Sequence, residues 1–102
     1  MYPAKYSFSP IGAPDCVNDF VVYGLNKTTA NLVALNELYS NTDGTGFCSG
    51  KTAPAVYWAY NATPNGGTVT TSPVLSSNGE DVIYVEGVTT GSYLHVLVWT
   101  AN

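Results

Sequence analysis

The segment Ser92–Thr100 reads SYLHVLVWT, and as a β-strand it is apolar on both faces. Side chains alternate along a strand, so two sets of them face opposite ways. One set is aliphatic and the other largely aromatic: Leu94, Val96 and Val98 against Tyr93, His95, Leu97 and Trp99. A strand that is apolar on both faces must be covered on both. Because a two-layer sandwich covers only one face of each sheet, the pattern predicts small sheets stacked side by side, as in a propeller.

Seven runs typical of strands follow one another, separated by turn residues. They are Ala4–Ser9, Asp19–Leu25, Asn31–Tyr39, Ala55–Asn61, Val69–Leu75, Asp81–Glu86 and Ser92–Thr100. The leucines of the third run also fit helical spacing, so a helix over 31–39 is the alternative there. Pro73 predicts that the fifth strand lies at an edge or begins after that residue. Asn78-Gly79 predicts a type I′ hairpin turn before the sixth strand.

Composition restricts the classes of function open to this chain of 102 residues. Three lysines, no arginine and seven carboxylates give a net charge of −4, which leaves no basic surface for nucleic acid. No apolar run reaches the length of a membrane-spanning helix, so we expect no membrane insertion. One histidine and two cysteines offer little for a metal site, and we expect neither a metal nor a cofactor.

Cys16 and Cys48 are the two cysteines of the chain. We predict that they form a disulfide, as is common in exported proteins; the alternative is two buried thiols in a cytosolic protein. A low content of charge with abundant Thr, Ser, Asn and Tyr points the same way. The sequence therefore predicts a secreted or cell-surface protein.

A rhythm of strands recurs in the two halves of the chain, which we expect to form one β domain over 1–102. Residues 1–66 carry a first series of four runs, and residues 67–102 carry a second series that lacks its fourth strand. The two series are predicted sub-repeats, a blade and an incomplete blade.

The stretch Ser72–Glu86 reads SPVLSSNGEDVIYVE. A serine-proline strand, a turn ending in glycine and an apolar strand follow one another, and this order resembles the blade motif of TolB-like β-propellers. That motif has an Asp-Gly turn, and a proline where this chain has Ser77. The first half is similar to propeller-like repeats of uncharacterised exported bacterial proteins. The resemblance implies a propeller architecture that serves mostly as a scaffold for protein or glycan contacts, while some members are hydrolases.

Two blades cannot close a ring, since natural propellers use about four to eight. The expected fold is therefore all-β, with about seven antiparallel strands in blade-like four-stranded sheets, completed by homo-oligomerisation. Three chains would supply six blades, and four chains eight. The partner that the sequence predicts is another copy of the chain.

Three patterns suggest chemistry, and each has a plainer interpretation. His95, the only histidine, would need a nucleophile and an orienting carboxylate to act as a catalytic base, and a strand histidine bound to a neighbour is the simpler interpretation. Glu37 and Glu86 are the most interesting pair of acids for a glycosidase, although carboxylates at the surface and in turns are commoner. The segment Asn41–Gly46 resembles a calcium loop but lacks the first and last acidic ligands, which favours a plain turn.

Five aromatic residues are candidates for stacking on sugar rings or anchoring a partner. They are Tyr57, Trp58, Tyr60, Tyr93 and Trp99. Buried aromatics between sheets would have the same pattern. The leading prediction is thus a non-catalytic scaffolding module that self-assembles. A carbohydrate-binding module is the first alternative, and a small hydrolase is the second.

Overall fold

The computed structural model describes residues 3–7, 14–26 and 29–101. These residues form eight antiparallel strands and no helix. The strands are β1 (Ala4–Tyr6), β2 (Phe20–Gly24), β3 (Leu32–Asn36), β4 (Ala55–Tyr60), β5 (Thr68–Val69), β6 (Val74–Leu75), β7 (Asp81–Val88) and β8 (Gly91–Val98). The prediction of antiparallel four-stranded sheets is confirmed, and the helical alternative over 31–39 is wrong. Residues 8 and 9 of the first predicted strand lie outside the described residues.

The first sheet is a meander in the order β1-β2-β3-β4. Val22 pairs with Ala34 across β2 and β3, and a bulge between Ala34 and Leu35 shifts the register of β3 against β4. β3 ends where Glu37 takes a left-handed backbone conformation with φ of 52°. That conformation is unfavourable for a residue with a Cβ, and it cuts the predicted third strand short.

The second sheet contains β5, β6, β7 and β8 but is only three strands wide. β5 and β6 both pair with the same side of β7, through Val69 with Glu86 and Val74 with Ile83, while β8 pairs with the other side. Eight strands appear where seven were predicted, because the fifth run is broken before Pro73, which lacks an amide hydrogen for the ladder. The division into sub-repeats at residues 66 and 67 stays a prediction.

The turn between β6 and β7 differs from the predicted type I′ turn. Only Gly79 has a positive φ there, 75°, whereas type I′ needs two such residues. Gly79 N donates to Ser76 O at 2.9 Å, and Ser76 N donates to Asp81 O at 3.0 Å. The side chain of Asn78 accepts from Glu80 N, so Asn78 stabilises the turn through its side chain without taking a left-handed conformation.

A single core lies between the inner faces of the two sheets. Its buried members come from both: Phe20, Val22, Leu32, Ala34, Trp58, Ala62, Val69, Val82 and Tyr84. Trp99, directly after β8, packs its ring 5.2 Å from that of Phe20 and 5.7 Å from that of Trp58. Burial of these side chains is the main contribution to stability, about 1.5–3 kcal/mol for each large apolar one.

The crossing from the first sheet to the second is held by Asn31, which is buried just before β3. Its Oδ1 accepts from Ala62 N at 2.6 Å, and its Nδ2 donates to Thr63 Oγ1 at 2.6 Å. Because both polar atoms are satisfied, the buried amide stabilises the loop after β4 at little desolvation cost. This loop is the one that reaches Glu86 in the second sheet.

Candidate functional site

The second sheet has an aliphatic face that the described residues leave uncovered. We call it the outer face; its aliphatic members are Val74, Ile83, Val85, Leu94, Val96 and Val98. The exposed fraction is 71% for Leu94, 61% for Val96, 70% for Val98 and 58% for Val74. Scattered exposed apolar residues are normal, but a contiguous aliphatic face marks an interaction surface.

The pattern of two-sided apolar strands is therefore present in the fold. The inner side of β8 turns Tyr93, His95 and Leu97 toward the molecule, and these side chains are less exposed than Leu94, Val96 and Val98 on the outer side of the same strand. Among the residues that the structure describes, the only carboxylate on the outer face is Asp81, at the end where it pairs with Val98. Nearly the whole face is thus uncharged.

The first sheet also has an outer face that is apolar, and it is better covered. Tyr23 and Val56 are exposed there, whereas Val33 and Leu35 are half-buried. At one end the ammonium of Lys5 lies 5.1 Å from the ring centroid of Tyr39. Lys5 therefore places a charge at this end, where the cation–π contact holds it. The outer face of the first sheet is thus less uniformly apolar than that of the second.

The five aromatic candidates do not form one surface. Trp58 has no exposed area and belongs to the core. A ring without exposed area cannot stack on a sugar, so a platform role for Trp58 is wrong. Tyr57, Tyr60 and Trp99 are half-buried and pack against the core. Only Tyr93 is largely open to solvent, with an exposed fraction of 47%.

Glu86 and His95 form a hydrogen-bonded pair on the inner face of the second sheet. Glu86 is fully buried, and its Oε1 lies 2.9 Å from His95 Nε2. The same carboxylate accepts from Asn65 N at 3.1 Å, Asn65 Nδ2 at 3.0 Å and Gly67 N at 2.8 Å. Desolvation raises the pKa of Glu86, but the hydrogen bonds from His95, Gly67 and Asn65 outweigh it, so the pKa is lowered. Glu86 is therefore an anion that holds the loop after β4 against β7.

This pair orients an imidazole but supplies no reaction by itself. The ring of His95 stacks on Tyr84 at 5.0 Å and lies 6.4 Å from the ring of Tyr93. Nucleophilic catalysis needs a hydroxyl or thiol hydrogen-bonded to the other ring nitrogen, and the described residues place none there. The geometry agrees with the plainer interpretation of His95, a strand histidine bound by its neighbour.

The disulfide between Cys16 and Cys48 is present, with the Cα atoms 5.6 Å apart. Glu37 lies beside it, with a carboxylate oxygen within 4.8 Å of both sulfurs. Metal binding by cysteine requires the free thiolate, and in the disulfide neither sulfur has that form. Glu37 and Glu86 thus have separate surroundings, the disulfide for one and His95 for the other.

The segment Asn41–Gly46 is a turn closed by its own side chains. Asp43 Oδ1 accepts from Thr45 N at 3.0 Å and from Thr45 Oγ1 at 2.6 Å. Both bonds lower the pKa of Asp43, and the bond from the Thr45 side chain has a larger effect than the bond from its amide. The carboxylate is engaged in its own turn, which agrees with the interpretation of this segment as a turn.

Several residues of the site were missed from the sequence. Val74 lies in the fifth predicted strand, for which the sequence analysis assigns no face, and Asn65 and Gly67 lie among the turn residues between the fourth and fifth predicted strands. With Gly66, Gly67 lines a hollow of about 250 Å³ beside the loop, together with Asn61, Thr63 and Pro64. The glycine-rich sequence of this loop does not predict that Gly67 binds the buried carboxylate of Glu86, 19 residues further along the chain.

No protein-family model, curated protein or solved structure matches the chain. In the described part of the chain, no helix has the length and apolar character needed to cross a membrane.

Proposed function

We propose that the chain is a non-catalytic structural β module, secreted or at the cell surface, that self-assembles into a homo-oligomer. The uncovered outer face of the second sheet is the observation that carries the proposal. Its exposed aliphatic members are valine and leucine, and each gains about 1.5–3 kcal/mol when fully buried. Several such side chains on each copy are enough to offset the cost of association, roughly 4–15 kcal/mol.

In the propeller-like arrangement, the outer face of the second sheet packs on the outer face of the first sheet in the next copy. Exposed Tyr23 and Val56 then supply the opposing surface. This contact is heterologous, so it closes into a ring when the rotation between copies divides the circle. A ring of three or four chains fits the range of known propellers.

The disulfide supports the location given in the proposal. A bond between Cys16 and Cys48 is compatible with an oxidising compartment outside the cytosol. In such a compartment the disulfide stabilises a structural module without changing the surfaces through which it assembles.

The mass of the wild-type protein in solution tests the proposal. Light scattering over a range of concentrations should give a defined multiple of 10.8 kDa. A triple variant, Leu94→Thr with Val96→Thr and Val98→Thr, should lose the face-to-face contact and have a smaller mass than the wild type, because threonine keeps strand propensity but adds a hydroxyl to each apolar site. Val17→Thr, at an exposed valine on the disulfide-bonded loop, is the matched control and should keep the wild-type mass. A wild-type monomer at every concentration would overturn the proposal.

A carbohydrate-binding role is supported at one residue, Tyr93. Its ring is exposed beside His95, and aromatic faces stack on sugar rings. If this role is correct, calorimetric titration with mono- and oligosaccharides should detect binding that Tyr93→Ala abolishes. Binding that survives this substitution, or none to any sugar tested, would exclude Tyr93 as the platform.

A further inference from the structure

Strand β8 presents a free edge. It runs for eight residues, Gly91–Val98, and in the described part of the chain it pairs only with β7. It contains no proline, lysine or carboxylate, the features by which proteins commonly protect an edge from pairing. At about 3.4 Å per residue this edge is roughly 27 Å long.

The ladder on the other side of β7 shows which backbone groups of β8 are free. Val85 O accepts from Thr70 N, and Val85 N donates to Thr71 Oγ1, so the backbone of Val85 faces away from β8. Hydrogen bonding alternates along an antiparallel strand. Tyr84 and Glu86 therefore bond to β8, at the residues that face them in the register, His95 and Tyr93.

The amide and carbonyl groups of Leu94, Val96 and Val98 consequently point away from β7, toward the open edge. The same three residues supply most of the exposed area of the outer face. A strand added here would satisfy their backbone groups and extend the aliphatic face at the same time.

We infer that the β8 strand of a second copy pairs antiparallel with this edge, around a twofold axis at Val96. This inference deepens the proposed self-assembly and depends on it. In this register Val96 lies opposite its own counterpart, and Leu94 lies opposite Val98 of the other copy. A register centred on His95 would instead place Val98 of one copy opposite Ser92 of the other, which pairs an apolar side chain with a hydroxyl.

The charges of the chain oppose self-association in general, and they oppose it less at this edge. Two copies that each carry a net charge of −4 repel one another, and the repulsion is weakest where the facing segments are uncharged. Because β8 carries no carboxylate and no lysine, the two edges can approach without bringing like charges together. The imidazole of His95 points to the inner face and is bound to Glu86.

The area of the outer face also favours pairing. Two strands of eight residues, β7 and β8, with the two-residue strands β5 and β6 sharing the third position, give one outer face of roughly 300 Å² at about 4.8 Å spacing. A standard protein interface buries about 600–1,000 Å² on each partner. Joining two sheets at β8 doubles the continuous aliphatic face to roughly 600 Å², the lower end of that range.

A twofold contact at β8 adds to the face-to-face contact, so the particle should contain an even number of chains. A ring of three chains would become a six-chain particle, and a ring of four would become eight. Face-to-face packing alone would also allow a particle with an odd number of chains, so an even number distinguishes edge pairing from face packing.

Hydrogen exchange and a proline substitution test the inference. In the wild-type oligomer the amides of Leu94, Val96 and Val98 should exchange on the order of 100-fold more slowly than in a dilute, dissociated sample. The amides of Tyr93, His95 and Leu97, which bond to β7, should be protected in both. Val96→Pro removes an outward amide from an edge strand, a position where proline is tolerated, and should halve the mass of the particle. Val96→Thr keeps the amide and is the matched control, expected to keep an even number of chains.

The possible outcomes separate this inference from the proposed function. An oligomer in which the amides of Leu94, Val96 and Val98 exchange freely, or whose mass Val96→Pro leaves unchanged, overturns edge pairing and leaves self-assembly intact. A wild-type monomer overturns both. Because exchange is measured on the wild type, the inference stays testable even if Val96→Pro does not fold.

Discussion

Trp99 Nε1 donates a hydrogen bond to the carbonyl oxygen of Gly79 at 2.7 Å. This bond links the residue after β8 to the turn between β6 and β7. The indole that makes it also lies 5.1 Å from the ring of Tyr57 and 5.2 Å from that of Phe20. Trp99 thus closes one end of the second sheet and packs it on the first.

Trp99→Phe should lower the free energy of unfolding by roughly 2 kcal/mol, through the lost hydrogen bond and the smaller ring. Urea denaturation measures the change. Tyr23→Phe, at an exposed tyrosine of the first sheet, should leave the midpoint where it is in the wild type. Equal midpoints for Trp99→Phe and the wild type would contradict the role assigned to this indole.

Reduction of the disulfide should lower the free energy of unfolding by about 3–4 kcal/mol, because the bond closes a loop of about 32 residues in the unfolded chain. Cys16 and Cys48 are 32 positions apart. The double variant Cys16→Ala with Cys48→Ala should match the reduced wild type within about 1 kcal/mol. A reductant should have no effect on that variant, and an unchanged midpoint of the wild type in reductant would refute the prediction.

Gly67→Ala should be strongly destabilising. A Cβ at this position would fall on the carbonyl oxygen of Gly87 and lie 2.8 Å from Val88 Cγ1. Because the obstacle is partly backbone, we expect a loss of about 3 kcal/mol or more. Gly66→Ala is the control: Gly66 has φ of 78° with open space around its Cα, so the cost there is about 1–2 kcal/mol from the left-handed conformation alone. Thermal unfolding of the two variants should rank them in this order, and the reverse order would contradict the close contact of Gly67 with β7.

Stability should fall in acid, and part of the fall should come from Glu86. Its pKa is lowered in the folded protein, so its contribution is complete above the unfolded value of about 4.3. That contribution is lost as the pH falls through the folded pKa. The hydrogen bonds of Asn18 lower the pKa of Asp15, and Asp43 also has a lowered pKa, so both acids contribute in the same direction.

His95→Ala isolates the share of Glu86. The hydrogen bond from His95 is the largest of the effects that lower the pKa of Glu86, so its removal should move the acid transition to higher pH. Glu86→Gln should remove this component while leaving those of Asp15 and Asp43. Unfolding free energy measured by urea titration between pH 2 and pH 7 gives the three curves. Coincident curves for the wild type and His95→Ala would show that the pair contributes nothing in acid.

Local pattern was sufficient to predict much of this fold. Alternation of apolar residues placed seven runs on strands, and the pairing of Cys16 with Cys48 needed only an even count and a plausible compartment. The two-sided apolar character of β8 predicted an aliphatic face, and the described residues leave that face exposed. These features depend on side-chain period and chemistry, which the order of residues contains directly.

Other features required contacts between distant residues. The left-handed φ of Glu37 ended β3 early, and Asn78 stabilised its turn through a side chain while Gly79 alone took a positive φ. Trp58 and Tyr93 have equal standing in the sequence, yet one is buried and the other exposed. Neighbours in the chain do not determine such differences, because burial depends on which sheet lies opposite.

The sequence by itself determined that this protein is made of antiparallel strands, one of which is apolar on both faces, since strand period and hydrophobicity are local properties. Only the tertiary structure decided which surface stays open and which strand edge is free. β5 and β6 share one side of β7 and β8 pairs with the other, so the far edge of β8 has no partner strand among the described residues. The fully buried Glu86 gathers His95, Asn65 and Gly67 from separate parts of the chain. Pairing and burial are set by distances between residues far apart in the chain, and those distances exist only once the sheets have packed.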